Sequence, residues 1–500
     1  MQHVPGSGPA AGRERSGNMA GLEQRKKKET VAEVVFYLLV FAAIACFAMI
    51  QTYGDPPDEI NRFKVVSYIC RHGSLPHGAD PEVILDGYGA SYAFQPMLTY
   101  IIQGFLLRFL RLFTSDAYVL LFAARMVNAV FGVLMAYFVR RTAKEAWKDP
   151  YVQWAFTLMV VFLPQNIFIH SYVNTDSMAL LAVAMVFYVL LRAQRTGYGK
   201  KECILLAAGI ILCAMSYYNA YGIIVAAILV FALYHVHAGK GGIRVEWRPL
   251  LHKGMLVSVM VLLGIGWWFV RNGILYNGDI IAMDARRECA IRTATADFNP
   301  LTRFTYQNSG TPLGDMLFKT GYLTLLRDSF IAMFGPMIIP THGLIYLYYK
   351  RFWIASCAAA LLPVQRLWTG KKERDGAWKN RVVFYVSMAL FGAITIGLSI
   401  YYSYTWEYQP QGRYILPVLV PFMYLVALGV EKIYGLFCFA GGRLAGGTGE
   451  KAGALCGKLF CLGIMAYVML AFGYSLFARF LPYYMQGENM FSMCGKTLLP

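Results

Sequence analysis

The sequence predicts an all-α fold, a multipass transmembrane helical bundle of about eleven spans (a range of about ten to thirteen) with juxtamembrane helices in its first outer loop. Three observations carry that prediction. Of 500 residues, 57% are hydrophobic and only 15% are charged, whereas a soluble domain carries about 25% charged residues. The apolar residues gather in runs near the length of about 20 that a helix needs to cross a bilayer. Short basic clusters stand between the runs: Arg25-Lys26-Lys27-Lys28, Arg140-Arg141, Lys200-Lys201, Lys371-Lys372, and Lys379 with Arg381. Loops kept on the cytoplasmic side show this bias.

Taken in chain order, residues 1–30 are polar and rich in Gly and basic side chains, so a disordered cytoplasmic tail is expected there. The apolar run that follows is too long for a removable signal peptide and reads as a signal anchor. Spans are expected at Val31–Gln51, Ala117–Val139, Tyr151–Ser171, Ser177–Arg192, Cys203–Tyr217 and Tyr221–Val236. They continue at Gly254–Leu275, His342–Pro363, Val382–Tyr402, Tyr414–Tyr434 and Leu459–Phe480. Residues 31–482 thus form the transmembrane domain, with outer loops at 52–116, 276–341 and 403–413, and residues 483–500 form a short extracytoplasmic tail. One further apolar stretch, Phe94–Phe113, contains Arg108 and Arg111. If it crossed, the later basic loops up to Lys379 and Arg381 would face outward. It is therefore read as a helix lying at the outer interface. The N terminus is then cytoplasmic and the first loop is outside.

Composition also excludes some functions. The formal net charge of +18 does not form a basic stripe interleaved with base-stacking aromatics, so no nucleic-acid partner is expected. The ten cysteines have no CxxC spacing and read as small hydrophobes. His72, His77, His170 and His342 lack metal-site spacing, so no metal centre or cofactor is implied; a divalent ion is possible on chemistry but has no support in the sequence. Gly441-Gly442 and Gly446-Gly447 read as a flexible cytoplasmic linker.

The polar residues with chemical potential fall in the outer loops. Asp55-Pro56-Pro57-Asp58-Glu59 follows the first span. Two readings stand side by side for Asp58 and Glu59. They sit in the first turn of a helix opened by Pro57, where the helix dipole favours carboxylates; or one of them takes a proton from an acceptor hydroxyl at the membrane surface. Asn174-Thr175-Asp176-Ser177 has the composition of an N-cap, and Asp176 could also support a site. Arg271, in Trp267-Trp268-Phe269-Val270-Arg271-Asn272, and Arg413, in Gln411-Gly412-Arg413-Tyr414, lie at outer ends of spans. Each either snorkels to the interface or presents a fork of donors to a phosphate.

In this order, these pieces resemble the GT-C superfamily of membrane glycosyltransferases. The likeness is to a bacterial multipass family related to protein O-mannosyltransferases and aminoarabinose transferases. It rests on Pro56-Pro57-Asp58-Glu59, Gln95-Pro96, Asn174-Thr175-Asp176, Trp268-Phe269-Val270-Arg271-Asn272, Ser329-Phe330 with Met333-Phe334-Gly335, and Gln411-Gly412-Arg413-Tyr414 before Pro417. The resemblance implies a GT-C-like bundle in a bacterial plasma membrane, with its active site extracytoplasmic. It implies an inverting transfer of a sugar from a polyprenyl-phosphate donor to a glycan, polymer or protein acceptor. Asp58 would be the base, with Glu59 as neighbour or alternative. Arg413, joined by Arg271, would hold the donor phosphate, with Asp176, Asn174, Gln411 and Tyr414 in support. The chain departs from the pattern at Arg62, where relatives often have His, and at Phe94 and Gln95, where aminoarabinose transferases have Glu and Lys. The rival function is a transporter or flippase of a lipid-linked glycan. Such a protein should show internal repeats and midplane charges, and neither is evident.

Overall fold

A computed structural model describes residues 10–239, 242–361 and 376–486. The all-α expectation holds: helices account for nearly all regular structure, with two minimal hairpins beside them. Helix α1 (Ala10–Ile50) leads to α2 (Glu59–His72) and α3 (Leu98–Leu110), and then to α4 (Ala117–Ala146), α5 (Pro150–Val161) and α6 (Pro164–Ile169). Next come α7 (Asp176–Thr196), α8 (Lys200–Ala214), α9 (Gly222–Tyr234) and α10 (Trp247–Leu275). Short helices α11 (Met283–Thr293), α12 (Leu313–Lys319) and α13 (Tyr322–Ile331) fill the long loop that follows. The chain closes with α14 (Gly343–Leu361), α15 (Gly376–Thr405), α16 (Leu419–Tyr474) and α17 (Leu481–Gln486).

Seven segments among the described residues are long and apolar enough to cross a membrane by length and composition. The other expected spans coincide with shorter helices (α5 with α6, α8, α9) or with α14. Helices α8 and α9 hold 15 and 13 residues, so each covers only about 20 Å at 1.5 Å per residue.

Local chemistry sets the element boundaries. Asp116 and Asp149 cap α4 and α5, each accepting from two backbone N–H groups one turn in. The span expected over Tyr151–Ser171 is broken at Phe162-Leu163, because Pro164 has no N–H to continue the helix. Two expectations need correction. The N-terminal segment expected to be disordered is helical from Ala10 onward. Its Glu29 and Glu33 meet Arg140 and Lys144 of α4 at 2.7–3.5 Å, contacts that favour continuing the helix. The glycine linker is likewise helical, within α16. The chain doubles back there, so that Gly453 lies against Phe437 and Gly457 against the Tyr434 ring. Calls on residues 1–9 and 487–500 lie outside the described residues.

Contacts sort the helices into two ends. At one end, α1 and α4 meet through the acid–base pairs above. Trp147 donates to Glu431 and Tyr434 to Asp149, and Lys379 donates to the carbonyl of Leu233. At the other end lie α2, α3 and α11–α13. Helix α3 has 13 residues, about 20 Å of length, against a hydrocarbon core of about 30 Å. It packs along α2: Gly104 sits so close to Ile69 that a Cβ there would lie 2.5 Å from it. Arg108 donates to the terminal carbonyls of α2, Cys70 and Arg71. The main core lies between α1, α4, α5, α7, α15 and α16, with a second cluster under α2 and α3.

Candidate functional site

At the second end, three segments far apart in sequence converge. Helix α1 ends at Ile50, and after Pro56-Pro57 Asp58 turns the chain in a left-handed conformation (φ 63) directly before α2. Asp tolerates that backbone better than most residues. The turn presents the Asp58 carboxylate outward while Glu59, the next residue, enters the first turn of α2 facing the core. The first residue of α7 is Asp176, and the 3₁₀ turn Gly412–Val418 brings Arg413.

Asp58 Oδ2 accepts from Arg413 Nη2 at 2.6 Å and lies 3.7 Å from Arg62 Nη2. Arg62 Nη1 in turn donates to Asp176 Oδ2 at 2.7 Å. Two carboxylates and two guanidiniums thus alternate in one neutral chain. Asp176, Arg62 and Arg413 are buried, whereas the Asp58 side chain keeps 30% of its surface. Burial would raise the Asp58 pKa, but the Arg413 and Arg62 charges, with hydrogen bonds from Arg413 and Tyr92, outweigh it and hold the carboxyl below its usual range. Tyr92 closes one side, its ring 5.3 Å from the Arg62 guanidinium. Tyr414 closes the other: its hydroxyl accepts from Arg413 at 3.2 Å and donates to Gln409. Buried Arg413 Nε and Nη1, Arg62 Nε, Asp176 Oδ1 and the Tyr172 hydroxyl have no hydrogen-bond partner. Buried polar groups rarely stay unpaired, so their clustering here marks a place built for something polar.

The remaining sequence-predicted residues fall elsewhere. Glu59, the proposed alternative to Asp58, is fully buried and turned away. Its oxygens accept from Arg125 at 2.6 and 2.8 Å, from the N–H of Val173 at 3.1 Å and from that of Gly54 at 3.3 Å. It is a strut between the first loop and the segment that carries Asp176. Asn174 keeps the capping role: its Oδ1 accepts from the Ser177 N–H at 2.9 Å, and its amide donates to Ile169 and Tyr172 carbonyls. Gln411 accepts the Tyr414 N–H through its backbone carbonyl, and its side-chain Oε1 is unpaired. Arg271 joins none of this. Its Nη2 donates to the Pro76 carbonyl at 2.6 Å, and its guanidinium stacks near Trp268 on the wall of a separate cavity of ≈ 580 Å³, shared with Tyr68, His77 and Asp80.

Two motif pieces that looked independent are one contact. Gly412 N–H donates to Ser329 Oγ at 2.7 Å, and a Cβ on Gly412 would stand 2.1 Å from the Phe330 nitrogen. Only glycine allows that approach, which fixes where Arg413 begins. Sequence reading missed Arg62, Tyr92 and Arg125 as members of the site and its frame. Arg125 carried a usable signal, a charge inside an apolar run. Arg62 carried another, its position four residues after Asp58 on a helix. Tyr92 carried none. Among the described residues, no group of three or more His, Cys, Asp or Glu is arranged to hold a metal ion.

The fold matches solved structures. ArnT from Cupriavidus metallidurans, bound to undecaprenyl phosphate, aligns with a TM-score of 0.51 at 12% identity, over 91% of this chain and 77% of ArnT. The Archaeoglobus fulgidus oligosaccharyltransferase, tethered with an acceptor peptide, aligns with a TM-score of 0.51 at 12% identity, over 89% of this chain. This chain spans 55% of that protein's length. Both are GT-C glycosyltransferases, and the likeness establishes the GT-C fold here. No curated protein matches the sequence. The profile of the family described as predicted membrane protein (DUF2142) matches residues 87–422, well over half of the 500 residues, and the chain belongs to that family.

Proposed function

We propose that this protein is an inverting glycosyltransferase. It moves a sugar from a polyprenyl-phosphate donor to an acceptor hydroxyl on the extracytoplasmic side of a bacterial plasma membrane. The observation that carries the reading is the Asp58–Arg413 pair, a partly exposed carboxylate 2.6 Å from a buried guanidinium whose Nε and Nη1 are unused. An arginine fork of that kind suits two phosphate oxygens. The shared fold with ArnT, which was solved with undecaprenyl phosphate, supports a lipid phosphate as the group received.

The chemistry follows from the placement. The acceptor hydroxyl attacks the anomeric carbon, and the bond from that carbon to the phosphate oxygen breaks. The electron pair leaves on the phosphate, where Arg413 stabilises the added charge. The hydroxyl proton passes to Asp58. Arg413 holds the Asp58 carboxyl below its usual range, ionised and weakly basic. An anionic phosphate on Arg413 draws on the same positive charge and adds a like charge near Asp58. Both effects raise the proton affinity of Asp58, so the base strengthens when the donor arrives. Neither Asp176, held by Arg62, nor Glu59, held by Arg125, is free to act as a nucleophile. A single displacement with inversion follows.

The outward orientation is supported by Arg140, Lys144 and Lys379, whose contacts lie at the end opposite Asp58. Nucleotide sugars are confined to the cytoplasm, so an outward site needs a donor carried on lipid.

The test is transfer by purified protein in proteoliposomes supplied with radiolabelled polyprenyl-phosphate sugars and envelope glycans. Asp58→Asn should lower turnover by about 10²–10⁴-fold, the range for a lost general base, while retaining donor lipid. Unchanged turnover would remove Asp58 from the mechanism. Transbilayer movement of the lipid without transfer would favour the flippase.

A further inference from the structure

We infer that Arg62 is a built-in cation, occupying the place between Asp58 and Asp176 that a divalent metal ion would otherwise take. The two carboxylates come from different elements, one from the turn before α2 and one from the start of α7. They meet on different nitrogens of one guanidinium: Asp176 on Nη1 at 2.7 Å and Asp58 on Nη2 at 3.7 Å. Asp176 is 4% exposed, and its second oxygen, Oδ1, is buried with no partner. Two converging carboxylates with lone pairs to spare are the donor set of a hard divalent cation such as Mg²⁺, Ca²⁺ or Mn²⁺. A positive charge belongs there, since a buried carboxylate and a partly exposed one left facing each other would drive one to take up a proton. In this chain the charge is covalently fixed. Arg62 is itself buried, its ring-side neighbour is Tyr92 at 5.3 Å, and it reaches both acids from a single helical position four residues after Asp58.

This deepens the transferase reading and rests on it for one consequence only: Arg62 orients the base without touching substrate, and transfer proceeds with no divalent ion. The cation-site claim itself can be tested without any sugar. The probe is Mn²⁺ titrated into the full-length protein in detergent. The six-line electron paramagnetic resonance signal of free Mn²⁺ disappears on binding. The wild type should leave the Mn²⁺ signal undiminished. Arg62→Ser empties the space between the acids and should bind one Mn²⁺ per chain; adding Asp176→Asn to that variant should abolish the binding. Arg62→His, which refills part of the space with a metal-compatible ring, serves as the second variant should the serine variant fail to fold, with the same expected gain. Wild-type binding of one Mn²⁺ that Asp176→Asn removes would overturn the inference. So would the absence of any gain in whichever variant folds. Neither result depends on whether sugar transfer is found. Where transfer is found, it should persist undiminished in EDTA, and loss of turnover on chelation would also count against the inference.

Discussion

At the scale of single residues, the site depends on an ion pair that can be followed by pH. Asp58 is held below its ordinary pKa by Arg413 and Arg62 against the opposing effect of burial. A carboxyl whose folded pKa is depressed stabilises the fold above its unfolded value, near 3.9 for Asp. That contribution is lost as pH falls from there through the folded value. Melting followed by tryptophan fluorescence between about pH 2 and pH 6 should therefore show an acid-side loss of stability in the wild type that is smaller in Asp58→Asn. Parallel curves would mean the pair does not form in solution. Arg413→Lys tests the other partner. It keeps the charge but loses the planar fork, so retention of polyprenyl phosphate after purification should fall although the ion pair with Asp58 can persist. Equal retention would move the phosphate elsewhere, the Arg271 cavity being the next place to look. Asp58, Asp176 and Arg413 were each legible as polar residues at outer ends of spans. Their meeting was not: Asp58 and Arg413 are 355 positions apart, and no local pattern encodes a contact of that range.

At the scale of elements, two joints decide whether the site is assembled. The first is Glu59–Arg125, which ties α2 to α4 and, through the Val173 N–H, to the segment leading into α7. Arg125 also donates to the carbonyls of Ala48 and Gln51 at the end of α1. Arg125→Leu leaves a fully buried carboxylate without its partner, a change that costs about 3–5 kcal/mol; Glu59→Gln with Arg125→Leu together should cost much less than that. Thermal melts of the two variants check this, and equal losses would show that the packing of Arg125 matters more than its charge. The second joint is Gly412 against α13. Gly412→Ala puts a methyl group into the Phe330 backbone, with overpacking of this sort costing about 1–3 kcal/mol. Because Arg413 is the next residue, turnover should fall further than stability alone accounts for, and a melt beside an activity assay separates the two. Sequence reading recovered elements where one signal dominated. The spans expected from Ala117 and Tyr151 coincide with the starts of α4 and α5, where Asp116 and Asp149 cap the first turn. It failed where tertiary partners decide: Glu29 and Glu33 of α1 pair with α4, and the glycines of α16 stay helical where the chain doubles back.

At the scale of the whole molecule, the division into two ends was the most legible feature, because hydropathy and loop charge are properties of composition that survive any error in boundaries. That division also carries the argument for the donor, so it merits its own test. In a background without native cysteines, single cysteines are placed at Glu82, Ser115 and Lys148, all exposed. Glu82 follows α2, Ser115 follows α3, and Lys148 lies between α4 and α5. A membrane-impermeant maleimide applied to intact cells should label positions 82 and 115 and reach 148 only after permeabilisation. Each alternative has its own signature. If α3 crossed the membrane, 82 and 148 would label and 115 would not. If the whole bundle were inverted, only 148 would label, Asp58 and Arg413 would face the cytoplasm, and a nucleotide sugar could serve as donor directly. Labelling at position 82 keeps the Asp58–Arg413 pair outside, where the phosphate of a lipid-linked donor must lie; the inverted pattern does not.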